Sequence, residues 1–193
     1  MAKAKSLKRK KTKKVGGKKS ASESWPSKKN IFFRPDRSSY VRRENKVKGC
    51  VFCVANQCDE SFETLCIHKT ELSMVVLNKF PYNSGHLLVL PRRHCGDLLN
   101  MTTEEYADLH ETLKISLKAQ NEIYNPAATN IGMNHGAAAG AGLPEHLHYH
   151  LIPRWAGDLN FFPLIAETKV VIETLEQTYQ RYFEYFNSLR GSL

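Results

Sequence analysis

The stretch "EHLHYHLIPRW", residues 145–155, sets three histidines at every second position of an otherwise apolar run, in a chain with eight histidines in all. Side chains alternate faces along a strand, so His146, His148 and His150 share one face while Leu147, Tyr149 and Leu151 share the other. The apolar set is expected to enter a core, leaving the imidazoles to line a surface or cleft. At a rise of about 3.3 Å per residue the outer two histidines stand roughly 13 Å apart, too far for one zinc ion with ligands at about 2.1 Å to hold all three. At least one of them has another task. A neutral imidazole nitrogen is a competent nucleophile once a neighbour holds the other ring nitrogen, and the middle position, His148, is flanked on both sides.

Just upstream, "NHGAAAGAGLPEH" (residues 134–146) supplies three glycines and four alanines that leave the backbone bare. Exposed N–H groups of such a loop make anion cradles, although a flexible connection has the same composition. A histidine nucleophile beside a cradle for oxyanions points to phosphorus chemistry.

Outward from this centre, strands are expected over residues 146–152 and 130–134. Residues 74–77 and 86–90 are two short apolar runs separated by a Pro, Asn, Ser and Gly cluster, a hairpin signal closed by Pro91. Between the hairpin and the histidine row, a helix is expected over residues 103–124. It has a Thr cap, acids in its first turn, apolar residues at Tyr106, Leu109, Leu113, Leu117 and Ile123, and Pro126 beyond its end. A second helix carries Val171, Leu175, Tyr179, Tyr182, Phe183 and Phe186 as an aromatic face. Strands and helices without regular alternation indicate an α+β class.

The net charge of +9 over 193 residues is unevenly placed. Residues 1–29 hold twelve Lys and Arg against one acid, whereas the remainder has 16 basic and 18 acidic residues, a net of −2. The first segment is too polar to bury a core and reads as a disordered basic arm, with one domain over residues 30–193. Such an arm could hold polyanions weakly and in a salt-dependent way, or act as a solvated tail. No apolar run suits a secretory signal or a membrane span, so a cytoplasmic location is expected. Five cysteines without an export signal argue for reduced thiols. Of these, Cys50 and Cys53 in "CVFC" have the two-residue spacing that lets two thiolates reach one tetrahedral ion, a spacing shared by redox pairs. Cys58 and Cys66 read as small core residues, and Cys95 as pointing away from its neighbour His94.

The row "HLHYHLI" resembles the signature of the histidine triad family of nucleotide hydrolases and transferases. "VLNKFPYNSGHLLVLP" is similar to that family's hairpin, and "PRWAGDLNF" to its bacterial branch of diadenosine tetraphosphate phosphorylases and relatives; the likeness spans residues 31–189. It implies a HIT-like fold, an antiparallel sheet with two main helices. It also implies that His148 attacks an α-phosphorus to form a nucleotidyl-histidine, while His150 orients or polarises the phosphate. Asn78 would lie near the ribose, Asn134 just before the loop, and Gly140, Ala141, Gly142 and Leu143 would face the phosphates. Family members often carry Gln, Ser or Thr in that loop; here backbone amides or His135 would take that place. His86 matches a family histidine near the site and is expected to serve structural hydrogen bonding. In the branch with the cysteine pair, the resemblance adds His94 and His146 to Cys50 and Cys53 as ligands of a structural zinc ion. No organic cofactor is expected.

The implied activity is cleavage of dinucleoside polyphosphates, diadenosine tetraphosphate foremost, by phosphorolysis or hydrolysis. Hydrolysis of nucleoside phosphoramidates is the alternative within the family, and a nucleotide- or nucleic-acid-binding module using the arm is the alternative outside it. Family members are commonly dimers, which implies a homodimer.

Overall fold

The computed structural model describes residues 49–158 and 172–191. The basic arm, the domain boundary at residue 30, the lead-in up to residue 48, the end of "PRWAGDLNF" and Val171 lie outside the described residues.

A five-stranded antiparallel sheet runs in the order β1-β2-β3-β5-β4, with β1 Cys66–Lys69, β2 Ser73–Leu77, β3 Leu87–Pro91, β4 Ala128–Met133 and β5 Tyr149–Arg154. Among the described residues, three α-helices accompany it: α1 Val51–Gln57, α2 Thr103–Tyr124 and α3 Leu175–Arg190. The expected hairpin is present, with Ser73 opposite Pro91 and Leu77 opposite Leu87. Pro91 ends β3 from inside the strand rather than beyond it, and His86 precedes the strand. Every residue of β2 and β3 is buried. A strand covered on both faces reads as a continuous apolar run, which is why the alternation of half-exposed strands is missing from "SMVVL" and "LLVLP".

The two faces have separate cores. Ile67, Val75, Leu77, Leu87, Val89 and Leu151 pack with Leu109 of α2 and Tyr179, Tyr182 and Phe186 of α3. Cys66, Met74, Val76, Leu88 and Leu90 pack on the other side with Phe52 and Ala55 of α1. Tyr179, Tyr182 and Phe186 of the aromatic face of α3 are therefore buried within this chain, with Leu175 and Phe183 half-buried beside them.

Helix α2 begins and ends as the sequence indicates. Thr102 and Glu105 form a reciprocal capping box, and Asn125 closes the helix in the left-handed conformation at φ 44°. Its buried face is rotated from the expected stripe: Tyr106 is 48% exposed, and Glu105, Leu109, Thr112, Ser116, Ala119 and Gln120 face inward. Small residues let the helix lie close to the sheet. The Gln120 amide donates to the carbonyls of Gly85 and Leu151 and accepts from Thr129, which satisfies it in the core. Gly85, at φ +78°, makes the turn into β3 against Tyr124, whose ring lies 3.0 Å from where a Cβ would be.

Three expectations shift. Strand β5 starts at Tyr149, so His146 and His148 belong to the irregular segment leading into it and only His150 is on the strand. The four residues of β1 were not anticipated, and Cys58 is exposed rather than in the core, unlike Cys66. Strand β4 begins at Ala128, earlier than expected, and lies at the sheet edge with much of its surface exposed. Among the described residues no helix is long and apolar enough to cross a membrane.

Glu105 also takes two hydrogen bonds from Arg93, at 2.6 and 2.7 Å. Those bonds, and then the Thr102 backbone, hold its carboxyl down from the ordinary 4.5 to about 2. A depressed carboxylate adds stability above its unfolded pKa and loses it as pH falls through the folded one. Stability should therefore decline between about pH 4.5 and 2, and Glu105→Gln should flatten that decline in urea unfolding series across pH. Parallel pH profiles for the two proteins would refute this role.

Candidate active site and metal centre

The three histidines reach their places because residues 146–148 run back across the end of β3 before β5 begins. His150 lies opposite Leu88 in β3 and Gly132 in β4, on the α1 side of the sheet. Phe52 of α1 touches both His146 and His148, with ring centroids 5.3 and 5.4 Å away. Of the surface or cleft expected for the imidazoles, an open surface is excluded for two of them: His146 is fully buried and His148 only 7% exposed.

Two of the imidazoles have one nitrogen tied by a backbone carbonyl and the third is reached through His86, and these contacts place the protons. His146 Nε2 lies 2.8 Å from the carbonyl oxygen of Pro91, so it must donate, and Nδ1 carries the lone pair. His148 Nδ1 lies 2.9 Å from the carbonyl of His146, so Nδ1 donates and Nε2 keeps the lone pair. His86 Nδ1 accepts from the Tyr82 N–H at 3.1 Å, so its Nε2 donates to His150 Nδ1 at 3.0 Å and leaves the proton of His150 on Nε2. Burial lowers the pKa of all three triad histidines; for His150, with His148 adding to the effect, it falls to about 4. At neutral pH the pair His148 and His150 is thus one nucleophilic nitrogen beside one N–H donor, with rings 5.1 Å apart.

His86 does serve hydrogen bonding, as expected, but its partner is His150 itself. Asn78 sits beside it, 3.4 Å from His86 Nδ1, with its oxygen accepting from the Phe80 N–H, so it shapes the β2–β3 turn. Two residues passed over in the sequence support the same turn: Tyr82 lays its ring near His86 and His150, and buried Asn83 donates to the carbonyl of Pro153 at 2.6 Å. Their signal was their place in "FPYNSGH", a turn cluster that reads as linker composition alone.

The small-residue loop contains a 3-10 turn, Ala137–Ala139, between Gly136 at φ +85° and Gly140 at φ +93°. The Gly140 N–H closes that turn on the carbonyl of Ala137, so Gly140 offers a ligand its lack of a side chain rather than its amide. Asn134 stands at its mouth, with Nδ2 4.0 Å from the position of a Cβ on Gly140. Ala141 and Gly142 continue the bare backbone, and Leu143 packs its side chain against the α1-side core. His135 is paired with Asp97 at 3.1 Å, on an exposed part of the surface.

On the other side of Phe52, Cys50, Cys53, His94 and His146 bring four ligand atoms within 4.8 Å of one another. Cys50 caps α1 and Cys53 lies on its first turn, so the helix sets their spacing. The sulfur of Cys50 is 3.3 Å from His146 Nδ1, and that of Cys53 is 3.3 Å from His94 Nδ1 and 3.7 Å from His146 Nδ1. A tetrahedral zinc ion with Cys and His ligands has edges of roughly 3.3–3.8 Å, so the residues fit such an ion. The His146–Pro91 bond fixes the tautomer that presents a lone pair to it. Cys95 is outside the cluster, with its thiol donating to the carbonyl of Asp97.

Comparisons with known proteins place the chain among relatives. AP-4-A phosphorylase of Mycobacterium tuberculosis is 39% identical over 116 residues, 60% of either chain. The asymmetrical bis(5'-nucleosyl)-tetraphosphatase of Schizosaccharomyces pombe is 33% identical over 110 residues, 57% of either chain. The chain thus spans about three fifths of the length of these curated relatives. Among solved structures, a zinc-bound histidine triad family protein from Mycobacterium smegmatis superposes with a TM-score of 0.60 at 25% identity, covering 75% of this chain and 98% of that one. The HIT domain family model matches residues 60–157, half of the sequence, and the chain belongs to the HIT family.

Proposed function

We propose that this protein cleaves dinucleoside polyphosphates, with diadenosine tetraphosphate favoured, through a covalent adduct on His148. The observation that carries the reading is the bond from His148 Nδ1 to the carbonyl of His146, which leaves the lone pair on Nε2 in a ring that burial keeps neutral. In the first step Nε2 forms a bond to the α-phosphorus and the bond from that phosphorus to the bridging oxygen breaks. The electron pair leaves on the departing nucleoside polyphosphate, ATP when the substrate is the tetraphosphate. The Nε2–H of His150 donates to the phosphoryl oxygens as charge builds on them. An acceptor oxygen then displaces Nε2 from phosphorus: inorganic phosphate yields ADP, and water yields AMP. The names of the relatives, a phosphorylase and a tetraphosphatase, support both outcomes, and the higher identity to the former favours phosphorolysis.

The nucleotide is assigned to Asn78 and Asn134 and to the bare backbone at Gly140, Ala141, Gly142 and Leu143. A zinc ion on Cys50, Cys53, His94 and His146 would supply a closed, structural cross-link between α1 and the segment that carries His148. The basic arm is assigned a separate, weak affinity for polyanions.

Replacing His148 by Ala or Asn should lower turnover of diadenosine tetraphosphate by more than about 10³-fold while circular dichroism and melting stay near wild type. With wild type, ADP plus ATP formed only when phosphate is added identifies phosphorolysis; AMP plus ATP identifies hydrolysis. Retained full activity in a His148 variant would overturn the mechanism. Metal analysis of protein purified without chelator should find close to one zinc per chain, and Cys53→Ser should lower it; less than about a tenth of an equivalent with thiols intact would remove the zinc assignment. Deleting residues 1–29 should abolish salt-dependent retention on a polyanion column and leave turnover of small nucleotides unchanged. No turnover by wild type, together with polyanion retention that is lost with the arm, would favour an arm-driven binding module instead.

A further inference from the structure

The Gly/Ala loop has no side chain longer than a methyl group between His135 and Leu143. Such a segment has many conformations to lose and nothing of its own with which to hold one, so its shape has to be imposed at its ends. Downstream, Leu143 is packed into the α1-side core. Upstream, the first side chain able to anchor it is His135.

One short segment, residues 95–98, reaches both ends. The carbonyl of Cys95 accepts from the Leu147 N–H at 2.8 Å, just past the loop. Gly96 lies against the backbone of Pro144 and Glu145, where a Cβ would come within 2.8 Å of the Pro144 oxygen and 3.0 Å of the Glu145 Cα. Asp97 Oδ1 lies 3.1 Å from His135 Nε2, and the same oxygen accepts from the Leu99 N–H at 3.0 Å. The Leu98 N–H lies 3.4 Å from the same Nε2, which can accept from it only in the tautomer that does not donate to Asp97, so the shorter Asp97 contact is the one that defines the clasp. Cys95, buried, ties its thiol to the carbonyl of Asp97, which stiffens the segment itself. The result is a clasp across the open side of the loop.

We propose that Asp97 and His135 are positioning residues that hold the upstream end of the loop so that it presents its backbone to the phosphate chain. The inference rests on the reading of this loop as phosphate-facing. His135 thereby acts through the loop, with Nε2 turned to the carboxylate, rather than as a substitute for the Gln, Ser or Thr that the loop lacks. The pair is about half exposed, 49% for His135 and 43% for Asp97, so its individual effect is modest.

The test compares wild type with Asp97→Ala, His135→Ala, the double variant and the conservative Asp97→Asn, which keeps an acceptor for the imidazole. Two substrates separate the roles: diadenosine tetraphosphate, whose phosphate chain extends to the loop, and adenosine 5'-phosphoramidate, which has a single phosphorus for His148. Each Ala variant should raise KM for the tetraphosphate about threefold, with a smaller change for the phosphoramidate and little change in either kcat. The double variant should match the singles, because removing either partner already breaks the pair. Asp97→Asn should restore the wild-type KM. Amide hydrogen exchange across residues 136–142 should accelerate in both Ala variants to a similar extent. Unchanged exchange, equal losses on both substrates, or additive effects in the double variant would each overturn the proposal; additivity would make His135 a direct ligand. Should wild type act on neither nucleotide, the functional reading fails, and the exchange measurement still decides whether the clasp exists.

Discussion

A hydrogen bond of 2.8 Å from His146 Nε2 to the carbonyl of Pro91 ties the segment leading into β5 to the end of β3, and it does so through a fully buried ring. Because burial disfavours a second proton on that ring, the bond also decides that Nδ1 bears the lone pair and faces the two thiols. The carbonyl of the same residue accepts from His148, so one residue links the candidate metal centre to the proposed nucleophile. The third ring is fixed from the β2–β3 turn, through Tyr82 and His86. Three chemically identical side chains acquire three different environments from two backbone carbonyls and one further imidazole, with no carboxylate hydrogen-bonded to any of them among the described residues.

This arrangement requires a sheet that cannot shift. Strands β2 and β3 are buried on both faces, and the strand carrying His150 is paired on both edges, so the register Leu88 to His150 is held by two packed layers as well as by hydrogen bonds. A one-residue slip of β5 would turn His150 to the α2 side and put Leu151 in the site. The polar contacts of Gln120 to the carbonyls of Gly85 and Leu151 work in the same direction, because those carbonyls neighbour the two histidines that share a proton. Burying a glutamine amide in a core demands that its partners stay in place.

Much of this was legible in the sequence, and the parts that were not have physical reasons. Helix α2 could be read to its terminal residues because capping boxes and left-handed ends depend on local chemistry that Thr102, Glu105 and Asn125 display. Its buried face could not, since small and polar residues pack against a sheet as well as leucines do when their hydrogen bonds are met elsewhere in the fold. Alternation in "HLHYHLI" grouped the histidines correctly for His150 but treated His146 and His148 as strand residues. Their placement depends on the carbonyls of Pro91 and Cys95, which no local pattern encodes. The four-residue β1 carries too little sequence for a periodic signal. The ligand set Cys50, Cys53, His94 and His146 came together as the family resemblance implied, whereas the cysteine spacing alone left a redox pair open.

The basic residues next to the histidines raise the question of what would recognise a polyphosphate. "PRRH" and "PRW" place Arg92, Arg93 and Arg154 close to His94 and His150 in sequence, which suggests cationic clamps. In the fold each has protein partners: Arg92 bonds Asn56 and the carbonyls of Thr70 and Glu71, Arg93 bonds Glu105 and the carbonyl of Asn100, and Arg154 bonds Asp158 and Asn130. Those bonds hold the Glu105 and Asp158 carboxyls well below the ordinary range, so both pairs stay ionised and mutually neutralised at neutral pH. Under the proposed function, the groups assigned to a phosphate chain among the described residues are neutral dipoles: the Nε2–H of His150, the Asn134 amide and bare backbone. Such donors discriminate by position rather than by charge, since their attraction falls off steeply with distance and angle. Geometry at the loop and at the histidine pair, rather than local positive charge, then becomes the property that the surrounding fold has to guarantee.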